Sequence, residues 1–143
     1  MLAERAAWDF VADLPPQEKI ELATINPGFI LGPNLNEATF TSGDFVKGIL
    51  LGTQPGLPRV HMPMVDVREV ADAHLFAILK PEANGHRFIM VSESIWVPKI
   101  GMILKEAFGK DGYPTVTTNT IAKPLLWMAS WFDNDADDFL QAW

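Results

Sequence analysis

The residues with most to offer chemically run from Glu21 to Pro33, reading Glu-Leu-Ala-Thr-Ile-Asn-Pro-Gly-Phe-Ile-Leu-Gly-Pro. An apolar strand-like run stops at a Pro-Gly step, and a second short run stops at Gly32-Pro33. Backbone laid out in this way forms the lip of a cofactor pocket at the carboxyl end of a parallel strand. A plain turn at Pro27-Gly28 is the competing reading of the same residues. The catalytic groups that would accompany such a lip are missing from the chain.

Other chemistries can be set aside by spacing. No glycines fall in the G-x-G-x-x-G pattern that brings backbone close to a pyrophosphate. Gly43 and Gly48 have phosphate-loop spacing, but Ile49 stands where a lysine is needed. His61, His74 and His86 lie thirteen and twelve residues apart, which is not the spacing of a helical zinc pair. No metal site is expected. G-x-S-x-G is absent, so no serine is presented on a nucleophile elbow. Asp133, Asp135, Asp137 and Asp138 lack the glycine and terminal glutamate of a calcium loop and read as a solvated helix start.

The elements that would position a lip follow from periodicity. Leu2, Ala6, Phe10 and Leu14 recur every four residues, predicting a helix that Pro15-Pro16 ends. Glu21 to Asn26 leans to strand, Asn34 to Ser42 is a polar loop, and Asp44 to Leu51 reads as a helix closed by Gly52. Gln54 to Arg59 is a turn-rich connection, and His61 to Val65 is a strand interrupted by Pro63. Asp66 then caps the clearest helix, with Glu69 three residues on as in a capping box. These two carboxylates read as capping groups rather than an acid/base pair. Val67, Val70, Ala71, His74, Leu75, Ile78 and Leu79 share one face, which makes His74 a core histidine rather than a catalyst. Lys80-Pro81 closes this helix and Asn84-Gly85 turns into a strand over Arg87 to Val91. Ile95 to Phe108 reads as a helix with Pro98 in its first turn. Tyr113 to Thr118 reads as a strand and Ile121 to Phe132 as a tryptophan-rich apolar helix, with Trp127, Trp131, Phe132 and Trp143 as core or interface. Helices alternating with strands predict an α/β fold with mainly parallel pairing.

Composition limits the partners. A net charge of −7 with scattered basic residues argues against nucleic acid. There is no cysteine for disulfide or thiolate chemistry. Glu4 and Arg5 come too early for a signal peptide, and no apolar run reaches the roughly 18 residues of a membrane span. The expectation is a cytoplasmic protein without membrane contact.

Four stretches appear in a recognisable order. They are Leu2-Ala-Glu-Arg-Ala-Ala-Trp-Asp-Phe10, Asn26-Pro-Gly-Phe-Ile-Leu-Gly-Pro33, Val65-Asp-Val-Arg-Glu-Val-Ala-Asp-Ala-His74 and Gly85-His-Arg-Phe-Ile-Met-Val-Ser92. Together they resemble the carboxy-terminal half of an extended short-chain dehydrogenase/reductase. The branch is that of dihydroflavonol reductase, cinnamoyl-CoA reductase and 3β-hydroxysteroid dehydrogenase-like enzymes, within the NAD-dependent epimerase/dehydratase superfamily. The resemblance covers roughly residues 1 to 108.

What this resemblance implies is specific. The fold would be a fragment of a Rossmann-like doubly wound sheet with the smaller substrate-binding subdomain, and residues 1–143 would be the substrate-side part. A Tyr-x-x-x-Lys pair would precede the Leu-Ala-Glu helix and so fall upstream of Met1; Tyr113, the only tyrosine, has Thr117 four residues later and cannot replace it. No catalytic residue is therefore expected within the chain, and the amino-terminal nucleotide-binding half would be absent too. Pro27, Gly28, Phe29 and Ile30 would pass the nicotinamide of NADP or NAD, with Ser42 offering a hydroxyl. Phe40, Thr41, Phe45 and the Gln54 to Arg59 loop would help form the substrate pocket. The parent would reduce a ketone or aldehyde, and the chain alone would be inactive, bind no cofactor and self-associate. A non-catalytic binding module and an epimerase/dehydratase remain as alternatives.

Overall fold

The computed structural model describes residues 2–36, 38 and 40–121. Helix α1 (Leu2–Asp13) leads into a 3₁₀ turn and strand β1 (Thr24–Pro27). One residue later β2 (Phe29–Leu31) begins, followed by α2 (Thr41–Leu51), β3 (His61–Asp66) and α3 (Val67–Leu79). Strands β4 (Arg87–Met90) and β5 (Glu93–Trp96) precede α4 (Val97–Phe108). The α/β expectation holds. β1 pairs β4 in parallel, β2 pairs β3 in parallel, and β3 pairs β5 antiparallel.

Gly28 is where the chain leaves one sheet for the other. Its N–H still donates to the Met90 carbonyl at 2.9 Å, in continuation of the β1·β4 ladder. The next residue, Phe29, is already opposite Met64 of β3. A side chain cannot fit at the crossing, because a Cβ on Gly28 would stand 2.5 Å from the Pro63 carbonyl oxygen.

The core sits beside the three-stranded sheet. Ile49 from α2, Leu57 and Val60 from the connection, Val97 and Ile100 from α4, and Val116 form one buried cluster. Each such side chain removed from water contributes about 1.5–3 kcal/mol. Residues 115–121 are strapped across this cluster by backbone bonds from Thr117 to Ile49, Leu57 to Asn119 and Ile121 to Leu57.

Caps behave as the sequence indicates at two ends. Gly52 closes α2 with φ of 71°, a left-handed conformation that glycine adopts at low cost. Asp66 caps α3 by accepting the Arg68 N–H at 2.8 Å. The reciprocal half of a capping box is replaced, since Glu69 accepts the Ser92 hydroxyl of the β4–β5 connection.

Four readings need correction. Residues 93–96 are strand rather than loop and helix start, because Ile95 and Trp96 pair with Met62 and His61 on the edge of β3. Tyr113 to Thr118 forms no strand; its amide and hydroxyl groups bond the end of α2 and the loop after it instead. Helix α2 starts at Thr41, three residues earlier than the sequence suggests. On α3 only Val70 of the expected face is buried, while Leu75, Ile78 and His74 are exposed. Ala73 and Ala77 line a cavity with Ile25 of β1 and Phe88 and Met90 of β4. His74 keeps an intrahelical partner, with Nδ1 2.7 Å from the Val70 carbonyl. Ile121 is an irregular residue, and the expected helix beyond it, the aspartate group and the last tryptophans lie outside the described residues.

Candidate functional site

The lip is built from the β1–β2 crossing and the first turn of α2. Phe40 precedes α2 in an extended conformation, and its ring lies over Gly43, where any Cβ would meet ring carbons. Within the first turn of the helix, Ser42 donates its hydroxyl to the Ile30 carbonyl at 2.5 Å. That bond ties α2 to β2 and fixes the wall of a cavity of about 330 Å³. Ile30, Gly32, Pro33, Asn34, Phe40 and Ser42 line it, with Val67 from α3.

Asn34, at the rim of the cavity, belongs to a stretch whose side-chain amides bond its own backbone. Asn34 Nδ2 donates to the Ala38 carbonyl at 2.8 Å, and Asn36 Oδ1 accepts the Ala38 N–H at 2.9 Å. Asparagine side chains bonding backbone two to four residues on make such loops compact. Asn34 and Val67 are cavity residues that the sequence reading did not single out. The Asn-x-Asn spacing was the available signal for the first; only the packing of α3 brings the second.

The structure gathers Ile30, Phe40 and Ser42 and separates the others. Pro27 and Gly28 stand at the end of β1, and Thr41 is exposed in the first turn of α2. Phe29 meets Phe45 edge-on at a centroid distance of 5.6 Å, and Phe45 packs on the hydrophobic core. In the Gln54 to Arg59 loop, Gly56, Leu57 and Pro58 are buried, so this segment serves the core.

The chemistry available is orientation rather than proton transfer. Among the described lining residues of the cavity none is ionisable, and none is a cation for a phosphate. Asp66 borders the adjacent cleft, but the Arg68 guanidinium and then its backbone N–H hold its carboxyl at about 2. A carboxylate that acidic is a poor general base near neutrality. No group of three or more histidine, cysteine, aspartate or glutamate side chains suited to a metal occurs among the described residues.

Parallel pairing of β1 with β4 and of β2 with β3, helices between the strands, and a neutral, partly apolar cavity beyond the carboxyl end of β2 mark an α/β fold of the Rossmann-like class. No family model matches the chain. Individual proteins do. The NADPH-dependent methylglyoxal reductase of Saccharomyces cerevisiae is 32% identical over 138 residues, spanning 86% of this chain and 40% of that protein. A cinnamoyl-CoA reductase of Medicago truncatula is 33% identical over 107 residues, 75% of this chain and 31% of that one. The yeast methylglyoxal/isovaleraldehyde reductase solved with NADPH superposes on 82% of this chain and 35% of its own, with a TM-score of 0.67 and 31% identity. The chain belongs to the short-chain dehydrogenase/reductase family, within the NAD-dependent epimerase/dehydratase superfamily. It spans well under half the length of these curated relatives. No described helix is long and apolar enough to cross a membrane.

Proposed function

We propose that residues 1–143 are the carboxy-terminal, substrate-side part of an NADPH-dependent carbonyl reductase acting on a small ketone or aldehyde. The observation that carries this reading is the shared sequence and architecture with a reductase solved in complex with NADPH. In the proposal Pro27, Gly28, Phe29, Ile30 and Ser42 border the nicotinamide, and Phe40, Thr41 and Phe45 belong to the substrate side. The cavity suits that end of the cofactor. Ile30, Pro33, Phe40 and Val67 offer apolar walls to a neutral ring, while Asn34 and Ser42 offer polar groups to an amide. The same lining carries no charge for the phosphates, which would be held elsewhere in the parent protein. When bound, NADPH would supply the hydride; the residues here would orient its ring and exclude water.

The test compares residues 1–143 with the product of the complete reading frame, following NADPH absorbance with methylglyoxal and an aromatic aldehyde. Turnover by the complete product and none by residues 1–143 is expected. A complete product that neither bound NADPH nor consumed it would end the reductase reading. Leu75, Ile78 and Ile89, exposed on α3 and β4, support self-association of residues 1–143 on their own. Sedimentation showing a monomer at every concentration would rule that out. The epimerase alternative rests on fold alone, since a Thermus thermophilus UDP-glucose 4-epimerase shares only 18% identity at a TM-score of 0.53.

A further inference from the structure

We infer that Glu4 is the positioning residue that docks α1 beside the Pro27-Gly28 lip. Helix α1 buries none of its residues, and Leu2 and Phe10 lie exposed on it. Apolar burial therefore does little to hold the helix in place. At its carboxyl end the Lys19 ammonium donates to the Val11 and Ala12 carbonyls, which terminates the helix without tying it to the sheet.

The tie is a single carboxylate oxygen in the first turn. Glu4 Oε1 accepts from Thr24 Oγ1 at 3.0 Å, Asn26 Nδ2 at 3.3 Å and Arg87 Nε at 2.8 Å. Thr24 and Arg87 are register partners across β1 and β4, and Thr24 and Asn26 share one face of β1 because side chains alternate. One oxygen thus reads the register of both strands at once. It does so one residue from Pro27. Bonds to an ionised acceptor are stronger than neutral ones and exact more geometry.

The arrangement also responds to acid. The Arg87 side chain is the main cause of a Glu4 carboxyl held below its ordinary 4.5, with Thr24 and Asn26 adding to it. A depressed value means that the tie is complete above the ordinary carboxylate range and is lost as pH falls through the lowered one. Arg87 is the charged group facing Glu4 from β4; Thr24 and Asn26, facing it from β1, do not titrate.

On the reductase reading the chain entering α1 carries the catalytic Tyr-x-x-x-Lys pair, so Glu4 would set the distance from that pair to the lip. This consequence rests on the proposed function; the docking itself does not. The test is amide hydrogen exchange along residues 1–143 in the wild-type protein and in Glu4→Gln and Glu4→Ala. Both variants should lose protection across α1 by about tenfold or more, while amides around Leu57 and Val60 keep theirs. Wild-type α1 should lose protection as the solution is acidified below the ordinary carboxylate range, after correction for intrinsic rates, and Glu4→Gln should show no such step. Unchanged α1 protection in both variants, or equal loss across the core, would overturn the inference. In the complete reading-frame product Glu4→Gln should lower kcat for carbonyl reduction more than it raises KM for NADPH. Absence of any cofactor binding there, with α1 exchange behaving as described, would count against the reductase reading and leave the docking role standing.

Discussion

Replacing Gly28 with alanine is expected to destabilise the protein by roughly 1–3 kcal/mol, the range for forcing atoms into a packed site. The reason is local and steric. The new methyl would stand 2.5 Å from the Pro63 oxygen, 3.0 Å from its carbonyl carbon and 3.3 Å from its Cβ. Two of those three atoms are backbone, and they belong to β3, which is paired with β2 on one side and β5 on the other. Pro63 cannot yield without disturbing both ladders. The lip must move instead, stretching the 2.9 Å bond from the Gly28 N–H to Met90. Urea unfolding measures the loss, and amide shifts of Phe29 and Ile30 report the displacement. A Gly28→Ala protein as stable as wild type, with those shifts unmoved, would show that the crossing is looser than described.

The second large effect belongs to the core. Leu57→Ala is expected to cost about 2–5 kcal/mol, combining lost transfer energy with the cavity left behind. Leu57 is 0% exposed and sits among Ile49, Val60, Val97, Ile100 and Val116. It is also the residue across which the 115–121 segment is strapped, donating to the Asn119 carbonyl at 2.7 Å and accepting the Ile121 N–H at 3.0 Å. Losing the side chain removes the surface on which that strap rests. Against a typical net stability of about 5–15 kcal/mol this is a large share. Leu2→Ala, at a side chain 87% exposed, is the matched control and should change stability by no more than about 0.5 kcal/mol. Equal denaturation midpoints for the two variants would mean that the strap and core are not coupled.

The two variants probe different parts of the molecule. Gly28 governs whether the lip keeps its shape, and Leu57 governs whether the subdomain behind it holds together. Their positions lie on separate elements with no shared partner, so their effects should add. The Ser42 bond to Ile30 joins the two parts, since α2 reaches from the cavity wall to the core residue Ile49.

How much of this was legible beforehand differs by residue. Asp66 at the head of α3 and Gly52 at the end of α2 were readable, because a cap depends on atoms within a few residues. The Pro-Gly step was readable for the same reason: a glycine after proline permits the close approach at which the chain changes sheets. Strand β5 was not. Glu93 and Ser94 are polar and Pro98 resembles a helix start, so nothing local marks a strand; its pairing with β3 comes from residues about thirty positions away. The face of α3 was misassigned because the helix carries apolar residues around most of its circumference. Periodicity finds such stripes but cannot choose between them.

The candidate site shows the same division. Pro27, Gly28, Phe29 and Ile30 could be named from one contiguous run, and the four ordered stretches were enough to identify the family. That Ile30, Phe40 and Ser42 meet around one cavity while Phe45 turns to the core is a matter of how α2 lies on β2. Glu4 stood within a recognised stretch, yet its role appears only when Thr24, Asn26 and Arg87 converge on one oxygen. The sequence by itself determined helices α1 to α4, the caps at Gly52 and Asp66, and the family; the helices and caps follow from short-range sterics and hydrogen bonding, the family from four ordered stretches. Only the tertiary structure decided which faces are covered and which side chains share a site, because those choices depend on contacts between residues far apart in the chain.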